Sequence, residues 1–433
     1  MNIIVIVADS FRRDHLGCYG NEWICTPNLD AFSREACLFE RAYADSLNTV
    51  PARTSMWTGR IGFPFRPWQP FEQDDPLVAE WLWDQGYTSA FVTDVYHMHK
   101  PGFNCGRGFD TTIFIRGQEY DPYLVDESIE VDVDEHFKPS PMNDQTEMWR
   151  DRCKQYLRNI SGRESEEDHF CAQVVSRSIE WLEQHRGEDN LFLWNDCFDP
   201  HEPWDPPAEY KEPYNPGYQG KEIIDPVPSQ VEGYLTPEEM KNIQALYAGE
   251  VTLVDKWIGK LLDAAREMGY FENSMIIFVS DHGEPLDDHG IVRKHKPWMY
   301  EEHAAVPLLV HLPDGEGAGE RSGALVQLCD LAPTICEAAG VEPMPGTHGM
   351  SLLPLVRGER ESLREFAVTG IHKASWNLRD ERWSFLMAFD RERELYDRDA
   401  DPTEQSNVID EYPQEADRLE LELRRVISEL GWE

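Results

Sequence analysis

The 433-residue sequence has no apolar run long enough to cross a membrane. Its first apolar run, residues 3–8, has no basic segment before it and is too short for the hydrophobic part of a secretion signal. We therefore expect no membrane partner, and we interpret residues 3–8 as the first strand of the fold.

Cysteine is sparse and unpatterned in this chain. The nine cysteines include no Cys-x-x-Cys pair and follow no regular spacing. An odd, irregular set of thiols suits a reducing compartment and excludes a disulfide framework. Together with the missing secretion signal, this predicts a cytoplasmic protein.

Positive charge is also scarce, because 40 basic residues face 81 acidic ones and the formal net charge is -41. Such a surface repels nucleic acid and anionic membranes, and both are excluded as general partners. A small anionic substrate would have to be attracted by a local cationic site. The sequence leaves the oligomeric state open, a homo-oligomer included.

Apolar runs alternate with segments that carry apolar residues at helical spacing. This pattern predicts an α/β fold with a largely parallel central sheet flanked by helices. The predicted strands are residues 3–8, 89–93, 191–195, 275–279 and 306–311, and the predicted helices are residues 76–83, 174–183 and 237–268.

The C-terminal part of the chain has a different pattern. Shorter strand-like pieces at residues 366–369 and 383–388 precede a helix that begins at Pro413. They predict a smaller α+β subdomain over residues 361–433, after a catalytic domain over residues 1–360. Two irregular segments, residues 112–168 and 203–237, are expected to cover the surface or line a cleft.

Polar residues directly after the predicted strands are the first candidates for a site, because open α/β sheets bind ligands beyond the carboxyl ends of their strands. Asp9, His201 and Asp281 all lie there. Asp281 is followed by His282 and Gly283. A carboxylate beside an imidazole can present two ligands to one divalent ion, and the glycine permits a tight turn.

His201 can protonate a leaving group, since a free imidazole titrates near neutral pH. Taken separately, an Asp-His-Gly string is also typical of a polar turn, and a single histidine is also typical of a loop.

A third signal is the string Thr49-Val-Pro51-Ala-Arg53. Pro51 can open a helix, which would place the Thr49 hydroxyl at a helix N-terminus, where backbone N–H groups and the helix dipole favour an anion. Thr49 would then be positioned to attack an anionic ester. The same string by itself is also typical of an ordinary helix cap.

In order along the chain, these motifs resemble the sulfatase family of the alkaline-phosphatase superfamily, including its phosphonate monoester hydrolases. The resemblance covers nearly the whole chain. The first match is residue 9 together with residues 16–20. The other matching stretches are residues 49–60, 86–110, 200–203, 280–294, 300–302, 306–307, 330–334, 349–355 and 394–402.

The resemblance implies an alkaline-phosphatase-like fold and assigns roles to individual residues. The implied ligands of one divalent metal are Asp9, Thr49, Asp281 and His282. Arg53 would steady the nucleophile and the substrate charge, Lys294 would hold a non-bridging oxygen, and His201 would act as general acid.

Two further histidines are candidates for substrate binding. His97 falls near a Lys-x-His pair of the family, but the lysine is missing at that spacing in this chain. His295 follows Lys294. Like His303 and His348, it could also bind a second metal ion, face solvent or have a structural role.

The residue at position 49 is a departure that bears on the chemistry. Family sulfatases carry Cys or Ser there, which is oxidised to formylglycine, whereas the extra methyl group of Thr would leave a ketone. We therefore expect no formylglycine. Threonine is the nucleophile in the related nucleotide pyrophosphatases and phosphodiesterases.

Ser10 is the second departure, because it stands where many sulfatases have another metal-binding Asp. Two carboxylates, a hydroxyl and an imidazole favour manganese, with zinc or calcium as alternatives. The sequence thus predicts a metal-dependent hydrolase of phosphate diesters or phosphonate monoesters with a covalent intermediate on Thr49.

Two other functions are compatible with the sequence. One is a sulfatase that uses unmodified Thr49, and the other is a catalytically silent relative that binds an anion. Retention of so many charged candidates weighs against a silent site, because buried charges are costly without a function.

Overall fold

The computed structural model describes residues 1–294 and 296–431. Its strands are β1 (Asn2–Ala8), β2 (Cys37–Tyr43), β3 (Thr88–Thr93), β4 (Thr111–Phe114), β5 (Leu191–Cys197), β6 (Ser229–Gln230), β7 (Ser274–Val279), β8 (Ile291–Val292), β9 (Leu308–His311), β10 (Arg321–Gln327), β11 (Ala367–Ile371), β12 (Ser375–Arg379), β13 (Trp383–Ala388) and β14 (Glu394–Asp397). Its α-helices are α1 (Pro27–Phe32), α2 (Thr49–Thr58), α3 (Val78–Trp83), α4 (Val133–His136), α5 (Thr146–Asn159), α6 (Phe170–Gln184), α7 (Ala208–Lys211), α8 (Pro237–Met268), α9 (Glu301–Ala304), α10 (Leu331–Ala339), α11 (Leu353–Val356) and α12 (Pro413–Leu430).

Eight strands form the central sheet in the order β10-β2-β9-β7-β1-β5-β3-β4. Strand β9 runs antiparallel to both of its neighbours, and the other pairings are parallel. The predicted α/β fold with a largely parallel sheet is confirmed. The five predicted strands correspond to β1, β3, β5, β7 and β9.

Strand β1 shows why the sheet is buried on both faces. Successive side chains of a strand point to opposite faces. Ile4 and Ile6 pack in the hydrophobic cluster that contains residues of α6 and α8, whereas Ile3, Val5 and Val7 pack in the cluster that contains residues of α2 and α10. Each such side chain contributes about 1.5–3 kcal/mol by leaving water.

Helix α8 has the bounds that its sequence predicts, because both of its ends carry strong local signals. The Thr236 hydroxyl accepts a hydrogen bond from Glu239 N (3.2 Å), and the Glu239 carboxylate accepts one from Thr236 N (2.8 Å). Pro237 occupies the first turn, and Gly269 ends the helix with φ +86°. These residues satisfy backbone groups that a helix end leaves unpaired.

Strands β2, β4 and β10 were not predicted. Glu40 and Arg41 interrupt the apolar pattern of β2, while β4 and β10 lie at the two edges of the sheet and are partly exposed. A half-exposed strand has too little apolar character to be recognised from its pattern alone.

The segment of residues 112–168 contains helix α5, which was also not predicted. Its Cys153, Tyr156 and Leu157 are buried at helical spacing, so the helix packs against the domain. In the described part of the chain, no helix is both long and apolar enough to span a membrane.

A second sheet of four antiparallel strands, β11 to β14, confirms the smaller C-terminal subdomain. Leu419, Leu423 and Ile427 of α12 share a hydrophobic cluster with residues of β11, β12, β13 and β14. Other residues of this sheet, such as Leu386 and Tyr396, pack in the core of the central sheet. The domain boundary at residue 360 stays a prediction.

Candidate active site

The carboxyl ends of four adjacent strands, β7, β1, β5 and β3, meet at one edge of the central sheet. Asp281 follows β7, Asp9 follows β1, His201 follows β5, and His97 follows β3. The order of strands in the sheet therefore brings together residues that are up to 272 positions apart in the chain.

Thr49 is the first residue of α2, two residues before Pro51, and its side chain is almost fully buried. Arg53 lies one helical turn later, and side chains in a helix lean toward its N-terminus. The Arg53 Nη1 donates to the backbone oxygen of Thr49 at 3.3 Å. The predicted pair thus occupies the buried start of this helix.

Arg53 connects three carboxylates that follow or end neighbouring strands. Its guanidinium donates to both oxygens of Asp196 (2.8 and 2.5 Å) and to Asp281 Oδ2 (2.6 Å), and its Nη1 lies 3.1 Å from Asp9 Oδ2. All four side chains are completely buried. When the three carboxylates are ionised, one guanidinium leaves two negative charges uncompensated, which suits a divalent cation.

Asp9, Asp281 and His282 fit such a cation by geometry as well. Their potential ligand atoms all lie within 4.8 Å of one another. The Nδ1 of His282 donates to the carbonyl oxygen of Gly283 (2.9 Å), so its Nε2 bears a lone pair. That Nε2 lies 3.5 Å from Asp281 Oδ2 and 3.8 Å from Asp9 Oδ1, and among the described residues it has no hydrogen-bond partner.

The two carboxylates of this group have opposite pKa shifts. Burial, reinforced by the charge of Asp281, raises the pKa of Asp9 well above its usual value. Burial acts in the same direction on Asp281, but the neighbouring His282 and Arg53 overcome it and lower its pKa to about 2. Asp9 therefore tends to hold a proton, which a bound cation would displace.

Gly283 is required beneath this group for steric reasons. A Cβ atom at Gly283 would lie 2.0 Å from the carbonyl oxygen of Glu302, and the Gly283 N–H donates to His303 O at 2.9 Å. The close packing holds the backbone of Asp281 and His282 against α9, so a side chain at residue 283 would displace both.

Lys294 lies in the same site, held by acidic partners. Its Nζ donates to Glu202 Oε2 (2.8 Å), Ser10 Oγ (3.3 Å) and the Glu284 carboxylate. Burial, together with the negative charge of Glu202, raises the pKa of Glu284 to about 8. Ser10 thus contacts both Lys294 and Asp9, because the Ser10 hydroxyl also donates a hydrogen bond to Asp9 Oδ1 at 3.0 Å.

His201 is buried and has a defined tautomer. Its Nδ1 donates to the carbonyl oxygen of Glu202 (2.6 Å), which leaves Nε2 unprotonated in the neutral ring. Its ring packs 3.9 Å from the ring centroid of Phe198. Burial lowers the pKa of His201 to about 3, with a further contribution from Lys294, so the free enzyme holds a neutral imidazole.

His97 borders the site, and a lysine from an unexpected position joins it. Lys100 Nζ lies 3.2 Å from His97 Nδ1, although the sequence lacks the lysine of the Lys-x-His pair on the other side. The His97 Nε2 lies 2.7 Å from Glu119 Oε2, and its ring centroid is 6.1 Å from that of Phe198. His295, the other predicted substrate-binding residue, lies outside the described residues.

Sequence reasoning missed Asp196 and left the role of His303 open. Asp196 directly follows a predicted strand that ends at residue 195, and its position at the carboxyl end of β5 was a usable signal. His303 shares a hydrogen bond with Asn48 Oδ1 at 2.7 Å, and its ring centroid is 5.5 Å from that of His282. Neither contact of His303 has a local sequence signature.

This fold is that of the alkaline-phosphatase-like superfamily. The Sulfatase family profile matches residues 1–341, and the profile of the N-sulphoglucosamine sulphohydrolase C-terminal region matches residues 288–431. The chain belongs to the sulfatase family.

Curated relatives include an arylsulfatase of Clostridium perfringens, which is 26% identical over 470 residues and is matched over 96% of this chain and 92% of its own length. Arylsulfatase K of Homo sapiens is 25% identical over 463 residues, which cover 99% of this chain and 82% of that protein. The relatives therefore extend over essentially the whole chain.

Solved structures with the same fold include the phosphonate monoester hydrolase of Agrobacterium radiobacter. It has a TM-score of 0.77 at 21% identity, covering 98% of this chain and 96% of its own. The enzyme SpPMH of Silicibacter pomeroyi has a TM-score of 0.76 at 21% identity, covering 99% of this chain and 96% of its own. This chain is thus an ester-hydrolysing enzyme, of a family whose members use a divalent metal.

We predict that the purified protein binds about one divalent ion per chain, and that Asp281→Asn removes it, because the substitution deletes a charged oxygen from the buried group. Elemental analysis measures the number of metal ions bound per chain. Asp255→Asn is the control, since Asp255 is a buried carboxylate that accepts from the N–H of Leu29, away from the site.

Equal metal content in wild type and Asp281→Asn would contradict the assignment of this site.

The metal affinity of the protein should also fall as pH falls, because Asp9, whose pKa is raised, must lose a proton before it can bind an ion.

Proposed function

We propose that this enzyme hydrolyses phosphate diesters or phosphonate monoesters through a covalent intermediate on Thr49. The observation that carries the proposal is the residue itself. Thr49 is buried at the start of α2, and Arg53, whose Nη1 donates to the Thr49 backbone oxygen, contacts both Asp9 and Asp281. A secondary alcohol can attack phosphorus directly, but it cannot be converted to the aldehyde that family sulfatases use.

In the proposed first step, the Thr49 oxygen forms a bond to phosphorus and the bond from phosphorus to the departing alcohol breaks. A manganese or zinc ion, held by Asp9, Asp281 and His282 with the Thr49 oxygen, would supply positive charge that favours the ionised hydroxyl. In the second step, a water oxygen forms a bond to phosphorus, the bond from phosphorus to the Thr49 oxygen breaks, and the ionised Thr49 oxygen is restored.

Arg53 and Lys294 are the cations available for the non-bridging oxygens. Arg53 is held rigidly by Asp196, and preorganised donors of this kind stabilise developing charge without reorganising. Lys294 donates to Glu202 and Glu284, and the pKa of Glu284 is raised to about 8 by burial and by the charge of Glu202. An anionic substrate would compete with these carboxylates for the ammonium group.

His201 is proposed to donate a proton to the departing alcohol through Nε2. Its neutral ring must first gain a proton on Nε2, because Nδ1 already donates to the backbone. The negative charge of a bound substrate would favour the imidazolium and would offset the effect of Lys294. In the second step the same nitrogen would take a proton from the attacking water.

The experiment that tests the proposal compares esters of one phenol. A phosphonate monoester, a phosphate diester, a phosphate monoester and a sulfate monoester of 4-nitrophenol are given to the same preparation. We expect kcat/KM for the phosphonate or the diester to exceed that for the sulfate by at least about 10-fold, a difference of about 1.4 kcal/mol in transition-state stabilisation.

A sulfatase acting through unmodified Thr49 is the second candidate, because the curated relatives include arylsulfatases and an N-acetylglucosamine-6-O-sulfatase of Bacteroides thetaiotaomicron. A clear preference for the sulfate ester in the same comparison would establish this alternative and overturn the phosphoryl assignment.

A further inference from the structure

Two cations beside the site, Lys100 and Arg152, form no ion pair with a carboxylate of the described residues. Lys100 Nζ contacts His97 Nδ1 (3.2 Å) and the Tyr120 hydroxyl (2.6 Å), neither of which is a carboxylate. Within residues 1–294 and 296–431, neither Lys100 nor Arg152 forms an ion pair with a carboxylate. The chain has 81 acidic and 40 basic residues, so a carboxylate is easily placed beside a cation, and its absence at both residues needs a reason.

Arg152 is held by aromatic rings instead. Its guanidinium carbon lies 4.1 Å from the ring centroid of Tyr120 and 4.6 Å from that of Trp149. Stacking on a ring fixes the guanidinium plane while leaving its N–H edges available. In the described part of the chain, these N–H groups donate to no protein acceptor. A planar N–H fork of this kind suits a carboxylate or another oxyanion.

The two cations are also near each other. Lys100 lies at the hydroxyl end of the Tyr120 ring, with Nζ 4.9 Å from its centroid, and Arg152 stacks on the same ring. Burial lowers the pKa of Lys100, Glu119 opposes the shift, and the positive charge of Arg152 adds to it. The Glu119 carboxylate contacts His97 at 2.7 Å, and its charge acts on both cations, but among the described residues it forms an ion pair with neither.

A series of contacts connects these cations to the leaving-group side of the reaction. His97 contacts Lys100 and lies 6.1 Å from the Phe198 ring, which itself lies 3.9 Å from the His201 ring. His201 is the proposed proton donor to the departing alcohol. The alcohol portion of a bound ester would therefore extend toward Lys100 and Arg152.

We infer that Lys100 and Arg152, positioned by Tyr120 and Trp149, bind a second anionic group on the alcohol portion of the substrate. The inference rests on the proposed function, because it concerns the alcohol that His201 protonates. The substrate class is then an ester of an alcohol that itself carries a carboxylate or another oxyanion. Arg152 belongs to α5, within the segment of residues 112–168.

The test uses two aryl methylphosphonates that differ at one position. The leaving phenol carries either a meta-carboxylate or the uncharged meta-carboxamide of nearly the same shape. We expect wild-type kcat/KM to be at least about 10-fold higher for the carboxylate, as a charge-assisted bidentate contact provides. In Arg152→Gln this ratio should approach 1, Arg152→Lys should restore part of it, and added salt should reduce it in wild type.

Arg150→Gln is the matched control. Arg150 lies two residues earlier on α5, but its guanidinium pairs with Asp134 at 2.9 Å. The ratio should keep its wild-type value in this variant. Because each ratio is measured within one protein, partial unfolding of a variant lowers both rates and leaves the ratio unchanged.

The failure of this inference is distinguishable from the failure of the proposed function. Turnover of both phosphonates at equal rates in wild type would overturn the inference and leave the phosphoryl assignment intact. If neither phosphonate is hydrolysed, calorimetry compares the binding of 3-hydroxybenzoate and 3-hydroxybenzamide to the same protein. Tighter binding of the benzoate that is lost in Arg152→Gln supports the second-anion site, and equal binding of the two phenols overturns it.

Discussion

Thr49→Ala is expected to reduce kcat/KM by at least about 10³-fold, while metal content and the thermal unfolding midpoint stay close to wild type. The substitution removes the attacking oxygen, and without it no covalent intermediate can form. The fold should tolerate the change because alanine is a good helix former and the lost side chain is small. Initial rates on the best phosphoryl ester, together with elemental analysis, measure both effects.

Two controls make this experiment specific. Thr54→Ser changes another buried threonine of α2, whose hydroxyl donates to Val50 O at 2.8 Å, and it should retain activity. Intact mass of the wild-type peptide that contains Thr49 should equal the mass of the unmodified sequence at rest. Substantial turnover by Thr49→Ala would exclude Thr49 as the nucleophile.

His201→Ala should slow esters of poor leaving groups by about 10²–10⁴-fold and activated aryl esters far less. An alkoxide of high basicity departs only with a proton, whereas 4-nitrophenolate leaves without one. The measurement is a plot of kcat/KM against the pKa of the leaving alcohol, which should become steeper in the variant. His185→Ala, a histidine at the end of α6, is the control. Equal losses across the series would assign His201 another role.

The same residue predicts a pH dependence. Burial lowers the pKa of His201 to about 3. As the pH is lowered from 8 to 6, the protonated fraction of His201 in the free enzyme therefore rises about 10-fold per pH unit. The ratio of kcat/KM for a poor leaving group to that for an activated one should rise in parallel. Using the ratio removes any acid loss of metal, which affects both substrates alike. A flat ratio in wild type would contradict proton donation by His201.

Arg53 explains how so many charges can be buried together. Isolated burial of Asp9, Asp196 or Asp281 would cost several kcal/mol, and a guanidinium with partners on several sides offsets much of that cost. The remaining negative charge is what a divalent cation would neutralise. The ion pairs that stabilise the fold at this edge of the sheet therefore also define the proposed metal site.

The sequence by itself determined the layers of the fold and much of the proposed site. The buried strands β1, β3, β5, β7 and β9 are encoded by local apolar runs, and the ends of α8 by local capping residues. Since parallel strands align their carboxyl ends, the polar residues after β1, β5 and β7 could be expected to converge. The Thr49 string by itself is also typical of a helix cap, and Thr49 was identifiable because the other strand-end motifs and the resemblance to the sulfatase family point to the same residue.

Only the tertiary structure decided which charges are paired and which are not. Arg53 and Asp196, which are in contact, are 143 residues apart in the chain, and Lys100 and Tyr120 are 20 residues apart. No periodic pattern in the sequence predicts either contact. The neutral state of His201 depends on burial by other elements, and the position of Arg152 depends on how the unpredicted helix α5 packs. Local patterns encode which residues leave water, but Coulombic energies and pKa values depend on distances that exist only after the chain has folded.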